Sequence, residues 1–137
     1  MATAADADLI LKLYDLRRED VCRQARAFFI RWKPASAAEV QAVATDFSRQ
    51  DNAWLRQATS YWEMAFSLAN SGAIDGDLFA KNCGEGAIFA IKCQLLKARF
   101  PDVWQRTMTE AETFMGANAA MKGRVDGIRK RVEGMMA

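Results

Sequence analysis

The stretch from Asn52 to Phe100 constrains the fold more than any other part of the chain, because it predicts two apolar helices joined by a turn. In the first helix the polar residues recur in steps of three and four along one narrow stripe: Arg56, Ser60, Glu63, Ser67 and Asn70. Most other residues of this helix are apolar or small, which is typical of a helix covered by protein on most sides. The sequence therefore predicts a central, buried helical hairpin over residues 52–100.

Turn residues mark the ends of the two helices in this hairpin. Asn52 is the predicted N-cap of the first helix, because its side chain can accept a hydrogen bond from a free amide of the first turn. Gly72 is expected to end that helix in the left-handed conformation, which glycine adopts without a Cβ clash. Either Asp75 or Asp77 can then cap the helical run that follows.

The second half of the hairpin begins with two glycines, Gly84 and Gly86. Each glycine costs about 1 kcal/mol relative to alanine inside a helix. We therefore expect either a kink there or the close approach of another helix. Glu85, Lys92 and Arg99 are spaced by seven residues, and this spacing predicts that they mark the solvent side of the helix.

Two longer segments have helical periodicity whose continuity the sequence leaves open. Residues Asp6 to Trp32 fit one long helix, or two helices separated at 18–20. Residues 102–135 fit a helix that begins at Asp102 and is either continuous or broken near 116–118. Between the first of these segments and the hairpin, Ser36 to Glu39 has the spacing of a capping box and predicts a short helix.

Composition and pattern together predict an all-α fold. The chain has 137 residues, 51% of them hydrophobic and 26% charged, and no segment shows the two-residue alternation of a strand. We expect a single all-helical domain over 1–137, a helical bundle of about five to seven helices. The N-terminus lacks the pattern of a signal peptide, and no apolar run approaches the roughly 20 residues of a membrane span. Three scattered cysteines favour a cytoplasmic protein with reduced thiols.

The sequence offers few residues for catalysis, metal binding or cofactor binding. It contains no histidine, which removes the commonest general base and transition-metal ligand. The cysteines lack the paired spacing of a zinc site, and no phosphate-binding glycine loop or nucleophile elbow occurs. Asp75 and Glu85 do not have the spacing of a calcium loop. Glu63 and Glu85 could face each other across the hairpin, but solvent or ion pairs explain them more simply. We expect no catalytic residue, no metal and no cofactor.

Basic residues concentrate in two segments, which raises the question of nucleic acid as a partner. Residues 17–33 contain six basic and two acidic side chains, and residues 121–137 contain five basic and two acidic ones. Basic segments can neutralise phosphates. The net charge of the whole chain is only +2, and a solvated helix face accounts for these arginines more simply. We therefore do not expect a nucleic-acid partner.

Two sets of apolar residues indicate how the protein could bind a partner or a ligand. A heptad-like seam near the C-terminus must be buried, either on the hairpin or on the same seam of a second subunit; it consists of Met121, Val125, Ile128, Val132 and Met135. A second set, Trp54, Trp62 and Phe89, could line a ligand cavity. Our first hypothesis is a non-catalytic interaction or scaffold module that forms a homo-oligomer. The alternative is a helical domain that binds a small molecule or regulatory ligand in an aromatic-lined cavity.

Two stretches of the chain carry a resemblance to known sequences. The first is Leu13-Tyr-Asp-Leu-Arg-Arg18 together with Arg23-Gln-Ala-Arg26. The second is Tyr61-Trp-Glu-Met-Ala-Phe-Ser-Leu-Ala-Asn-Ser-Gly-Ala-Ile-Asp75, followed by Leu78-Phe79. Over about half of the chain, these stretches resemble small bacterial all-helical domains of unknown function. The resemblance implies a helical fold, and it implies no activity and no site residues.

Overall fold

Nine α-helices and no strand make up the structure, a computed structural model that describes residues 1–137. The all-α fold is therefore confirmed, with more helices than the expected five to seven. In chain order the helices are α1 (Ala4–Arg17), α2 (Asp20–Arg31), α3 (Ala37–Thr45), α4 (Gln50–Asn70), α5 (Gly76–Asn82), α6 (Gly84–Arg99), α7 (Thr109–Ala117), α8 (Ala119–Lys122) and α9 (Val125–Met136).

The structure has more helices than expected because three segments are broken. For two of them the sequence left open whether the helix is continuous, and the third is the second half of the hairpin. Glu19 separates α1 from α2, and its carboxylate accepts hydrogen bonds from the backbone amides of Val21 and Cys22 at 3.1 and 3.0 Å. The second half of the hairpin divides at Cys83 into α5 and α6. The C-terminal segment forms three helices, and α7 starts at Thr109 rather than at the expected Asp102.

The ends of the central helices follow the turn chemistry of the sequence with one exception. Gly72 has a φ of +81°, and the Asp75 carboxylate accepts a hydrogen bond from the Leu78 amide at 2.9 Å, as predicted. The expectation that Asn52 caps α4 is wrong, because the helix begins two residues earlier. Asn52 is buried, and its side-chain amide donates to the Val43 carbonyl at 2.7 Å. This hydrogen bond therefore links α4 to α3.

Helix α4 lies at the centre of the packing, in contact with α2, α3, α5, α6 and α7. Its apolar residues belong to one continuous core of 32 buried hydrophobic side chains. The close approach expected at Gly86 is present: a Cβ atom at this position would lie 2.6 Å from Cε2 of Phe66 and 2.8 Å from Cε3 of Trp62. Glycine thus lets α6 pack tightly onto the aromatic face of α4. None of the helices combines the length and hydrophobicity that a membrane crossing requires.

Candidate functional site

Helix α9, which carries four of the five residues of the C-terminal seam, lies against the protein's own helix α6; the fifth, Met121, belongs to α8, which contacts α5 and α7. Met121, Ile128 and Val132 are buried, whereas Val125 and Met135 are half-buried. Of the two arrangements that the sequence left open, the folded chain adopts docking on its own hairpin. A second subunit at this seam would find only the exposed parts of Val125 and Met135, because the fold already buries the other three side chains. An oligomer interface through these residues stays a prediction.

The three aromatic residues proposed as a cavity lining do not share one site. Trp62 and Phe89 are fully buried and contact each other edge to face, with ring centroids 6.5 Å apart. Trp54 is half-buried and lies against Phe28, with centroids 5.8 Å apart. Eight residues of α-helix separate Trp54 from Trp62, or about 12 Å along the axis. The structure therefore places Trp62 and Phe89 in the packed core and Trp54 at the surface.

Glu63 and Glu85, which could have faced each other across the hairpin, each bind a different structural partner. The Glu63 carboxylate accepts hydrogen bonds from the amides of Glu110 and Ala111 at 3.0 and 2.9 Å, at the N-terminus of α7. Glu85 forms a bidentate ion pair with Arg26, with distances of 2.8 and 2.6 Å. The structure therefore does not bring the two carboxylates together.

The expectation that Lys92 marks the solvent side of its helix is wrong, since only 1% of its surface is exposed. Its ammonium donates to the backbone carbonyls of Phe29, Ile30 and Trp32, which are acceptors at the C-terminal end of α2 that lack helical partners. Burial lowers the pKa of Lys92 from its ordinary 10.5 to about 8. The side chain is thus a charged cap for a helix end that lies 60 to 63 residues away in the sequence.

The three cysteines are free and buried. Burial raises the pKa of Cys83 to about 11 and that of Cys93 to about 12, and it also raises the pKa of Cys22. Because the thiolate is the nucleophile, these thiols are poor nucleophiles at neutral pH. No group of three or more cysteine, aspartate or glutamate side chains has an arrangement that could hold a metal ion.

Helix α1 carries three of the seven large apolar side chains that the fold leaves exposed. Leu13 is its only buried residue, whereas Leu11 is 65% exposed, Tyr14 49% and Leu16 56%. The inner face is held in place at two points. The Tyr61 hydroxyl donates to the Leu13 carbonyl, and the Asp6 carboxylate accepts from the Asp75 amide at 2.8 Å. The helix is therefore fixed to the core and still carries an uncovered outer face.

The outer face of α1 has the spacing of a coiled-coil seam. Four exposed residues of α1 and the C-cap residue that follows it recur in steps of three and four: Ala4, Ala7, Leu11, Tyr14 and Arg18. We call these five residues the α1 seam. In the sequence, the alternation 4-7-11-14-18 was the available signal for this seam, and the stronger apolar stripe through Leu9, Ile10 and Leu13 on the inner face obscured it.

Charged residues of both signs border the α1 seam. Asp8 and Asp15 lie along one edge, and Arg17 and Arg18 lie at the C-terminal end. The Arg17 and Arg18 guanidinium groups approach the Tyr14 ring, at 4.7 and 5.7 Å from its centroid. Cation–π contacts of this kind hold an exposed aromatic ring in a defined position.

Comparison with known proteins identifies a family. A family profile described as a domain of unknown function, DUF4760, matches residues 2–94. The matched region runs from α1 into α6 and therefore includes the whole α1 seam. Comparison with curated proteins and with solved structures finds no match.

Proposed function

The chain belongs to the DUF4760 family of domains of unknown function, and we propose, from its geometry, that it is a non-catalytic interaction module that forms a homodimer through α1. The observation that carries this proposal is the α1 seam, a helix face with coiled-coil spacing that no other part of the chain covers. Leu11 and Tyr14, at its centre, are 65% and 49% exposed. Large exposed apolar side chains that are grouped on one face commonly mark interaction surfaces.

The charges beside the seam favour a second copy of this chain in an antiparallel arrangement. A two-fold axis near residues 12 and 13 places Leu11 opposite Tyr14 of the partner subunit. The same axis places Asp8 beside Arg18 of the partner subunit, and the small Ala7 leaves room for that arginine. A parallel pair would instead bring two Asp8 carboxylates together at one end and two Arg18 guanidinium groups at the other. The pairing of Asp8 with Arg18 of the partner subunit therefore favours the antiparallel pair.

The non-catalytic part of the proposal is supported by the roles of the ionisable side chains. Glu63 caps α7, Glu85 is paired with Arg26, and the Lys92 ammonium caps α2. The cysteine thiols are buried and have raised pKa values. These side chains are therefore engaged in holding the fold or kept from solvent.

The size of the seam sets the expected strength of the dimer. Helix α1 has 14 residues and is therefore about 21 Å long. One helix pair of this length buries an area at the lower end of specific interfaces, below roughly 1,200 Å² in total. We therefore expect a reversible dimer whose population depends on protein concentration, rather than an obligate one.

Sedimentation equilibrium of matched variants tests the proposal. Leu11→Asp places a carboxylate in the middle of the seam and is expected to give a monomer at every concentration. Leu16→Asp is the matched control, since Leu16 is exposed to a similar extent, 56%, but lies about 140° around the helix from Leu11. The control is expected to dimerise like the unmodified chain. Equal dissociation of both variants, or a monomeric unmodified chain at high concentration, would overturn the proposal.

A charge exchange tests the antiparallel geometry separately. Arg18→Asp is expected to weaken the dimer by opposing Asp8 of the partner subunit. Adding Asp8→Arg to the same chain restores opposite charges and is expected to recover the affinity, as a double-mutant cycle measures. A double variant that dimerises no better than Arg18→Asp would show that the two residues do not meet across the axis.

A further inference from the structure

A second surface, formed by α2 and α4, has the features of a binding cleft for a small molecule. The cleft is shallow and open to solvent, and its volume is about 590 Å³, within the range of ligand sites. Three half-buried aromatic rings line it: Phe28, Trp32 and Trp54. None of the lining residues belongs to α1, so this site is independent of the proposed dimer.

The aromatic rings form a cradle centred on Phe28. The Phe28 ring lies 5.7 Å from Trp32 with an interplanar angle of 25°, and 5.8 Å from Trp54 with an angle of 40°. The buried Trp104 packs against Trp32, with ring centroids 5.9 Å apart. Rings held in this way offer faces and edges on which a flat aromatic group can stack.

The charged groups at the cleft decide which kind of aromatic ligand fits it. Arg31 and Lys33 line it, no acidic residue does, and neither cation has a carboxylate within 4.0 Å. An aromatic cradle can also hold a cationic ligand, but two unpaired cations repel one. The complementary ligand is therefore an aromatic ring that carries a negative charge.

The position of Lys92 strengthens the preference for a negatively charged ligand. The Lys92 ammonium donates to the Trp32 carbonyl at 2.6 Å and so places a third positive charge at the backbone of a residue that lines the cleft. It also counters the partial negative charge of the α2 C-terminus, which would otherwise disfavour an anion there. Two acidic residues of the neighbouring groove, Glu39 and Asp51, are engaged with the Ala35 amide and with Arg49.

We propose that this cleft, defined by Phe28, Arg31, Trp32, Lys33 and Trp54, binds a nucleotide, with the base stacked on the aromatic cradle and the phosphate held by Arg31 and Lys33. The Gln24 amide, at the rim of the same cleft, supplies a donor and an acceptor for the edge of the base. The volume suits a single nucleotide. The same ring-plus-phosphate chemistry is found in free nucleotides and in single-stranded nucleic acid.

Nuclear magnetic resonance of the indole N–H groups locates the site directly, because the chain has four tryptophans and hence four such signals. Adenosine monophosphate is expected to shift the Trp54 and Trp32 signals and to leave that of the core residue Trp62 in place. Adenosine alone should bind more weakly, and ribose 5-phosphate should cause no shift at equal concentration. A Trp54 signal that adenosine monophosphate does not move, or equal binding of adenosine and adenosine monophosphate, overturns the proposal.

Substitutions distinguish the contribution of base stacking to nucleotide binding from that of the positive charges. Trp54→Leu is expected to weaken binding about tenfold, the loss of one base–aromatic contact, whereas Trp54→Phe keeps a ring and most of the affinity. Arg31→Glu is expected to weaken binding about fivefold, and its matched control Lys81→Glu, an exposed lysine on α5, should not. Equal effects of Arg31→Glu and Lys81→Glu would show that only the net charge matters, which contradicts a defined site.

An oligonucleotide distinguishes the two sources of the ligand. Short single-stranded oligoadenylate that shifts the same indole signals and binds more tightly than adenosine monophosphate, with steep salt dependence, identifies single-stranded nucleic acid as the source. Equal affinity of the two probes identifies the free nucleotide. Either result supports stacking at this cleft, and shifts at other tryptophans contradict it.

Discussion

Gly86→Ala tests the close packing of α6 on α4, which organises the core. A Cβ atom at this position would lie 2.6 Å from Cε2 and 3.0 Å from Cζ of Phe66, and 2.8 Å from Cε3 of Trp62. Both rings are fully buried and touch other core rings, so neither can move away cheaply. Overpacking of this kind costs about 1–3 kcal/mol, while the alanine gains at most about 1 kcal/mol in helix propensity. We therefore expect the packing cost to exceed the gain and the free energy of unfolding to fall.

The matched control is Gly134→Ala in α9. A Cβ atom at Gly134 meets nothing within 4 Å, so only the gain in helix propensity remains, about 0.5–1 kcal/mol. Urea unfolding followed by far-ultraviolet circular dichroism measures both free energies, at one protein concentration so that association contributes equally. A Gly86→Ala protein that is as stable as the Gly134→Ala protein would refute the argument that this glycine is required by the packing.

Two further predictions concern the polar groups that cap helices from distant positions. Lys92→Met leaves three carbonyls of α2 without their donor and should lower the free energy of unfolding by about 1–3 kcal/mol, whereas Lys97→Met, an exposed lysine of the same helix, should change it by less than about 0.5 kcal/mol. The folded-state pKa of Lys92 is about 8 and its ordinary value is 10.5, so between these pH values the unfolded chain keeps a proton that the folded chain loses. The stability of the unmodified chain relative to Lys92→Met should therefore rise from pH 8 to 10.5, by up to about 3 kcal/mol. A difference that stays flat in pH-dependent urea unfolding would contradict the lowered pKa of Lys92. Glu63→Ala removes the acceptor for two amides at the start of α7 and should cost about 1–2 kcal/mol, with faster amide hydrogen exchange at Glu110 and Ala111 as its local signature; unchanged exchange there would contradict the cap.

The central architecture could be predicted because its signals are local. The polar stripe of α4, the left-handed Gly72 and the Asp75 cap each depend on residues a few positions apart. The break between α1 and α2 also has a local cause in Glu19, which caps α2 through residues two and three positions later. Periodicity and turn chemistry act over this range, so the sequence carries them directly.

The roles of Lys92 and Asn52 could not be predicted, because their partners are distant in the sequence. A lysine at a seven-residue interval between two charged residues has the pattern of a solvent-exposed position. Only the tertiary fold brings the α2 carbonyls to its ammonium. The side chain of Asn52 is likewise taken by the Val43 carbonyl of the preceding helix, which a local capping rule does not consider.

The candidate sites were only partly visible in the sequence for a related reason. Periodicity shows that a helix has an apolar face, and it does not show which of two faces the core covers. In α9 the seam is covered by α6, whereas in α1 the core takes Leu13 and leaves Leu11 and Tyr14 outside. Trp54 belongs to a cleft, but its companions Phe28 and Trp32 come from another helix rather than from its own.

The most direct test of the interaction module is isotope-filtered nuclear Overhauser spectroscopy on a mixture of labelled and unlabelled chains, which detects only contacts between subunits. The antiparallel α1 pair predicts contacts between the Leu11 methyl groups of one chain and the Tyr14 ring of the other. Intermolecular contacts confined to α9, at Val125 and Met135, would contradict the α1 pair and would support the C-terminal seam as the dimer interface. The absence of any contact between chains at high concentration would contradict dimerisation itself.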